Sequence, residues 1–465
     1  MGRPNRDKSI LFEALGITAS AVLLLLWQEA HSSPVAVLLL GLLALSYFNY
    51  IVGSRDVLYP AFTFTAIWTA VVTVYLTCPI NIRPLGWKTV GILLGGTTFF
   101  SIGSLIGNRP FRLKGYQDRK NEERTYRDNP QARLVLLAYT ILAIPWIVRD
   151  AQSLVGGGSF FSPGYFIKLR LMIISMAVEG EGAYTNKFIA SAFTIGTFTF
   201  LVFILEDKRR WAKLLCASYT IVFFLMTTAR DVLVQALCWW LCVALLRRQD
   251  RGFIATVKWS ASACMGIIIL MTSLTFLTKS RTQGEGELQE AANMSLTSVV
   301  GPIAAFDYAV YNPGEFKGQP AAVFQGLRTR LSRLNIIRSI PPKLLDDFVF
   351  VPFSMNVYTY YKPYYEDFGV IGCLLAFSVI GLIEGKLFYA AINGNRIAKF
   401  FFAYLSYPLM LSIYDDHYVT YNSAVVDLYL FIFAFGYFYI MKRLRLRIFR
   451  NPVRMASSPL IVVQE

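Results

Sequence analysis

The feature that most restricts the fold of this chain is a succession of apolar runs, each about 20 residues long, that recur from end to end. A helix of that length spans the roughly 30 Å hydrocarbon core of a bilayer. Because the runs are continuously apolar and do not alternate, they indicate membrane helices and not the strands of a barrel. Hydrophobic residues make up 55% of the chain. We therefore predict an all-α, polytopic integral membrane protein.

The apolar runs predict about twelve transmembrane helices with both termini in the cytoplasm. They lie near residues 10–28, 34–52, 58–77, 87–107, 132–150 and 186–205, in a two-armed hairpin between 213 and 246, near 256–278, from 367 onward, and near 397–414 and 422–441. Most of the 45 Lys and Arg residues then fall on the cytoplasmic side, as the positive-inside rule expects. Topology thus accounts for the basic excess, and we expect no nucleic-acid partner.

This topology divides the chain into three parts. Residues 1–278 hold the first nine helices, with a basic cytoplasmic loop at 108–131 and an external loop at 151–185, residues 279–363 form a large external loop, and residues 364–465 hold the last three helices and a basic cytoplasmic tail. Within the large loop, Glu285 to Tyr311 predicts one or two helices that Asn312-Pro313-Gly314 ends. Helical spacing of apolar residues from Ala321 to Ile337 predicts an amphipathic helix at the outer leaflet.

The composition argues against a metal site and against a disulfide framework. Of six cysteines, five lie inside apolar runs, where they act as small hydrophobes. The two histidines are too few for a His-based metal site, and the predicted external segments contain no Asp-x-Asp motif. We expect no metal and no cofactor.

A tyrosine-rich stretch enters the tenth predicted helix and resembles a known family. Asn356-Val357-Tyr358-Thr359, Pro363-Tyr364-Tyr365 and Asp367-Phe368-Gly369, followed by Gly372, are similar to the Wzy-type O-antigen polymerases. Gly301-Pro302 with Phe306, the hairpin around Arg230 and the Lys279-Ser280-Arg281 exit from the ninth predicted helix also resemble that family.

The resemblance implies a class C glycosyltransferase-like membrane protein in the bacterial inner membrane, with its active site facing the periplasm. Such an enzyme joins oligosaccharide repeat units carried on undecaprenyl diphosphate, which serve as donor and acceptor. The growing chain is the donor, and the hydroxyl at the non-reducing end of a new repeat is the acceptor. The lipid bilayer is its second partner, and docking of a polysaccharide chain-length regulator is an open question.

Arginines suit the leaving diphosphate, because the planar guanidinium binds phosphate oxygens in a bidentate manner. Arg230 is the first candidate, since the hairpin arms of about 16 residues are short and keep it near membrane depth; the alternatives are snorkelling or a structural pair with Asp231. Arg281 is a second catalytic candidate. Further candidates for substrate binding are Arg170, Lys279, Arg328, Arg330, Arg333 and Arg338. The last four equally fit an interfacial helix on anionic lipid.

The general base that takes the acceptor proton has two candidate clusters. Glu366 and Asp367 form the first, and the group Asp415-Asp416-His417 after the eleventh predicted helix forms the second. A base must come within hydrogen-bond distance of the hydroxyl. Asp367 equally fits the N-cap of the tenth helix, and Asp416 with His417 equally fits a short capped turn.

Aromatic residues of the same stretch are candidates for holding sugars. Asn356, Tyr358, Tyr361, Tyr364 and Tyr365 predict a sugar-binding surface, and the tyrosines equally fit an aromatic belt at the outer interface. Two functions compete with polymerisation. A flippase for the same lipid-linked unit would need charges deep in several helices, and an O-antigen ligase would differ only in its acceptor.

Overall fold

The computed structural model describes most of the predicted helical core. The described residues are 33–54, 56–78, 80, 82–109, 130–157, 164–178, 187–206, 210–227, 231–247, 287–313, 323–324, 331–332, 336–337, 348–351, 353–414, 418 and 430–440. Their helices are α1 Pro34–Val52, α2 Pro60–Thr77, α3 Trp87–Gly107, α4 Pro130–Leu154, α5 Tyr165–Val178, α6 Lys187–Glu206, α7 Arg210–Thr227, α8 Asp231–Leu246, α9 Glu287–Tyr311, α10 Tyr361–Ile392 and α11 Arg396–Met410. Residues 430–435 are helical and continue as a π-helix over Gly436–Ile440.

The described chain is mostly helical, which confirms the all-α class. Two short strands, β1 Val349–Phe350 and β2 Ser354–Met355, pair antiparallel just before α10. Five helices are long and apolar enough to cross a membrane, namely α1, α2, α3, α10 and the part of α4 from Arg133 to Leu154. Shorter apolar helices cover Ala192–Glu206, Lys213–Thr227, Val232–Leu246 and Leu296–Tyr311. The described residues therefore support a membrane-embedded helical protein with at least five candidate spans.

Helix boundaries follow the sequence closely where the signal is local. The prediction of 87–107 coincides with α3, and one helix ends at Tyr311, before Asn312-Pro313. The predicted helices near 10–28 and 256–278, and most of the amphipathic segment 321–337, lie outside the described residues.

Two predicted segments contain more structure than expected. The segment that we predicted as an external loop at 151–185 contains the helix α5, whose apolar pattern Lys168 and Arg170 interrupt. Its Tyr165 and Leu169 are buried in a cluster with residues of α4, α6 and α7. The helical residues of α10 begin at Tyr361, and a sharp break at Gly369 separates a short first piece from a long second piece that begins close to the start predicted at Asp367.

Glycines bring α3 and α10 into backbone contact. A methyl group at Gly103 would collide with the carbonyl oxygen of Ser378, and one at Gly107 with that of Leu382. Gly381 and Gly385 on α10 make the reciprocal contacts. A methyl group at Gly381 would collide with the carbonyl oxygen of Phe100 on α3, and one at Gly385 with that of Ser104. Each helix thus carries a G-x-x-x-G pair that faces the other, the small-residue arrangement that lets membrane helices pack closely.

Buried polar contacts tie other helices to this pair. The Asn49 amide nitrogen on α1 donates to the Ser101 hydroxyl on α3 (2.8 Å) and to the carbonyl oxygen of Ala61 on α2 (3.3 Å). A second set of polar contacts lies on the predicted cytoplasmic side. There the Glu206 carboxylate, at the end of α6, accepts a hydrogen bond from the Arg396 guanidinium (3.4 Å) and lies 3.7 Å from the Arg133 guanidinium. Interhelical hydrogen bonds of this kind stabilise membrane bundles by roughly 0.6 kcal/mol each.

The glycine contact predicts the effect of one added methyl group. Gly103→Ala should destabilise the protein by about 1–3 kcal/mol, because the backbones of α3 and α10 must separate. Thermal unfolding of the purified protein in detergent measures the change. Gly91→Ala on the same helix is the matched control, since nothing lies within 4 Å of a methyl group there. Equal stability of the two variants would contradict the role of the contact.

Candidate functional site

The tyrosine-rich stretch forms a fold-back at the start of α10. The chain reverses at Gly369, where φ is +65° and ψ is −167°. A straight helix would hold residues 361 and 377 roughly 24 Å apart, yet the rings of Tyr361 and Phe377 stack with centroids 4.1 Å apart. Tyr361–Phe368 therefore runs back along the rest of α10, and we call it the fold-back segment.

The fold-back segment lies inside the helix bundle. The Tyr361 hydroxyl donates to the carbonyl oxygen of Leu93 on α3 (3.1 Å), and its ring meets Trp68 of α2 edge to face at 5.3 Å. Leu93 is six residues into α3, roughly 9 Å from the predicted outer end of that helix. A side chain at Gly96 would collide with the Tyr361 ring. The segment is thus inserted between helices of the bundle.

Most of the tyrosines face protein side chains. Tyr358, Tyr361 and Tyr364 are at most 3% exposed, and the rings of Tyr361 and Tyr364 pack around Phe377. Tyr365 is half-buried beside Phe306 of α9 (6.0 Å) and the Lys88 ammonium (5.4 Å). Asn356 is also half-buried. Of the residues predicted to hold sugars, Asn356 and Tyr365 are therefore the ones with accessible surface.

Glu366 lies in the fold-back segment beside a cation that sequence reasoning missed. The Lys362 ammonium is 3.6 Å from Glu366 Oε1, one helical turn away. The same ammonium sits 4.0 Å from the centre of the Tyr358 ring, and the Lys362 side chain is only 4% exposed. An ion pair and a cation–π contact together compensate the burial of this charge. The i,i+4 spacing of Lys362 and Glu366 was the available signal.

Asp367 has a different role in this geometry. Its Oδ2 accepts a hydrogen bond from the backbone N–H of Val323 (2.7 Å), which belongs to the predicted large external loop. The contact ties that loop to the fold-back segment. Of the two adjacent carboxylates, one is therefore engaged by the loop backbone, and Glu366 is paired with a side chain of its own segment.

A second polar cluster, built on Asp307 of α9, lies at the predicted outer end of α3. Buried Asp307 Oδ1 accepts from the Gly86 N–H (2.9 Å) and the Thr89 hydroxyl (2.6 Å), and its Oδ2 is 3.7 Å from Arg83. The Lys88 ammonium donates to the carbonyl oxygen of Val310 (3.4 Å). Asp307 was missed, although it is the single acid in an apolar run from Ser298 to Tyr311.

Among the remaining predicted site residues, Arg170 is described and lies elsewhere in the bundle. Arg170 lies on α5, which packs against α4 and α7, and burial lowers the pKa of its guanidinium. Nine others lie outside the described residues: Arg230, Arg281, Lys279, Arg328, Arg330, Arg333, Arg338, Asp416 and His417. Within the described part of the chain, no three His, Cys, Asp or Glu side chains come together as a metal site.

Comparisons with protein-family models, curated proteins and solved structures find no match for this chain. The site must therefore be interpreted from its own geometry. It combines a carboxylate paired with a buried lysine, partly accessible polar and aromatic side chains, and two further cations, Arg83 and Lys88, near the same predicted outer end.

The reversal at Gly369 predicts a specific substitution effect. A positive φ with an extended ψ is a conformation that side-chain-bearing residues rarely adopt, so Gly369→Ala should cost about 1–3 kcal/mol. We expect faster hydrogen–deuterium exchange at Tyr361–Phe368 in the intact protein. Gly91→Ala controls for the loss of a glycine in an open, regular helix. Unchanged exchange in the fold-back segment would count against this geometry.

Proposed function

We propose that this chain is a Wzy-type polymerase that joins undecaprenyl-diphosphate-linked oligosaccharide repeats at the periplasmic face of the inner membrane. The proposal rests on the stretch from Asn356 to Gly372. Part of the stretch that resembles the family, from Pro363 to Gly369, forms the fold-back, which holds Glu366 beside the buried Lys362. A stretch with a purely connecting role would not require a buried ion pair.

Glu366 is the proposed general base. In the proposed reaction its carboxylate takes the proton of the acceptor hydroxyl, whose oxygen attacks the anomeric carbon of the donor chain. The bond from that carbon to the diphosphate oxygen breaks, and undecaprenyl diphosphate leaves. Lys362 orients the carboxylate through the 3.6 Å contact. Asp367 is less suited to this role, because the Val323 N–H already binds it.

The cations around Asp307 add to the arginines proposed for the leaving diphosphate. The Arg83 side chain is 44% exposed, although its Nε lies 3.7 Å from Asp307. Lys88 is exposed and lies beside Tyr365, which connects the two polar clusters. A lipid diphosphate that approaches from the predicted outer side would meet these cations near the fold-back segment.

The proposal predicts that Glu366→Gln abolishes chain growth. Loss of a general base should slow glycosyl transfer by about 10²- to 10⁴-fold. The assay combines purified protein with a defined lipid-diphosphate repeat unit and follows polymer length. Asp150→Asn, on α4 in a different part of the bundle, is the matched control for the loss of an acid. A wild-type protein that translocates the cognate lipid but never extends it would contradict the proposed polymerase.

A separate prediction concerns the hairpin between α7 and α8. Arg230→Ala should abolish chain growth while protein abundance stays normal, because the variant loses the cation proposed to stabilise the leaving diphosphate. Polymer length on gels and immunoblotting of the membrane fraction measure the two quantities. Polymer of wild-type length made by the variant would refute the proposed role of Arg230.

A further inference from the structure

Glu384 is an acid buried in the middle of the helix bundle. It lies on α10 between Gly381 and Gly385, on the stretch that packs against α3, and it is 0% exposed. Its Oε1 accepts a hydrogen bond from the Tyr418 hydroxyl (2.7 Å). Its Oε2 is buried and has no hydrogen-bond partner among the described residues.

The groups around Glu384 supply no compensating cation within the described chain. The nearest lysine in sequence, Lys386, directs its ammonium to the carbonyl oxygen of Arg109 (3.4 Å) and to the Tyr389 ring. On α8, Cys242 lies close enough to Glu384 for their charges to interact.

The other polar and titratable groups of this region come from four neighbouring elements. They are Cys238 on α8, Ser406 on α11, Ser104 on α3, and Asp56 with Tyr59 before α2. None of these groups is a cation. Burial raises the pKa of Asp56, while the N–H of Leu58 donates to its carboxylate and lowers it in part.

Among the described residues, a carboxylate in this position would be a buried charge without an ionic partner, which costs several kcal/mol. A single tyrosine hydroxyl does not offset that cost. The neutral acid needs no counter-charge, and it can keep the bond that Oε1 accepts. We propose that Glu384 is an intramembrane proton-binding site, and that loss of its proton admits water to the contact between α8, α10 and α11.

This site has a direct structural link to the fold-back segment. The Tyr418 ring, whose hydroxyl binds Glu384, packs 5.5 Å from the ring of Tyr360, the residue just before that segment. The Tyr360 N–H in turn donates to the carbonyl oxygen of Ser412 (3.3 Å). The protonation state of Glu384 therefore acts on packing that also holds Tyr361 in place. The inference does not depend on the proposed function.

Infrared spectroscopy of the full-length protein in nanodiscs tests the proton directly. At neutral pH we expect the carbonyl stretch of a protonated carboxylic acid, which Glu384→Gln removes and Tyr418→Phe shifts. The shift identifies the group even if Glu384→Gln fails to fold. Glu206→Gln is the matched control, because Glu206 is paired with two arginines and should contribute no such band. If neither Glu384→Gln nor Tyr418→Phe changes the band, the proposal is wrong.

Labelling of Cys242 with N-ethylmaleimide tests the entry of water. Cys242 is 0% exposed, and mass spectrometry can follow its modification as the pH is raised. We expect the ratio of wild-type to Glu384→Gln labelling rates to rise about tenfold per pH unit until Glu384 is ionised. An ionised Glu384 would repel the Cys242 thiolate and lower its fraction in the wild type, so a ratio that rises with pH reports the entry of water and not the ionisation of the thiol. A ratio that stays constant with pH would overturn the proposal.

Discussion

The contact between the backbones of α3 and α10 determines most of the described architecture. In a bilayer, lipid chains are as apolar as the helix surfaces, so helices gain little from burying leucine against leucine. Close approach supplies the packing energy instead, and it requires that no side chain stand between the helices. Gly103 and Gly107 on one helix, with Gly381 and Gly385 on the other, meet this requirement over two turns.

The same pair of helices also positions the candidate site. Once the long part of α10 is fixed on α3, a reversal at Gly369 can only direct the fold-back segment along the helices already in place. Tyr361 then meets Leu93 and the open space above Gly96 on α3. Because Lys362 follows Tyr361 directly, the contact of Tyr361 with Leu93 also places the Lys362–Glu366 ion pair between the helices. Gly103 and Gly107 let α3 pack against α10, and Gly96 on the same helix leaves room for the Tyr361 ring of the fold-back segment.

Sequence reasoning succeeded for features that depend on neighbouring residues and failed for those that depend on distant ones. The limits of α3 and the end of α9 follow from local hydropathy and from Asn312-Pro313, so they were predictable. The fold-back was missed, because a positive φ at Gly369 leaves no trace in periodicity. Asp307 was missed because its partners at Gly86 and Thr89 are more than 200 residues away. The pairing of Lys362 with Glu366 could have been predicted, since the two residues are one turn apart on the same helix.

Asp307, Lys362 and Glu384 are buried ionisable side chains of the bundle, and each is accommodated in a different way. Asp307 accepts two short hydrogen bonds and faces Arg83, and Lys362 has both an ion pair and an aromatic ring. Opposite charge, dipoles or an aromatic ring thus surround each of these two side chains. Glu384 has one hydroxyl and no counter-charge within the described chain, so only a proton can neutralise it. Fixed charges thus lie where the chain supplies partners: Asp307 and Lys362 toward the predicted outer side, and Arg133 with Glu206 toward the predicted cytoplasmic side. Glu384 lacks such a partner within the described chain, and it lies beside the glycines that hold α3 and α10 together, where a change of charge would act on the contact that organises the bundle.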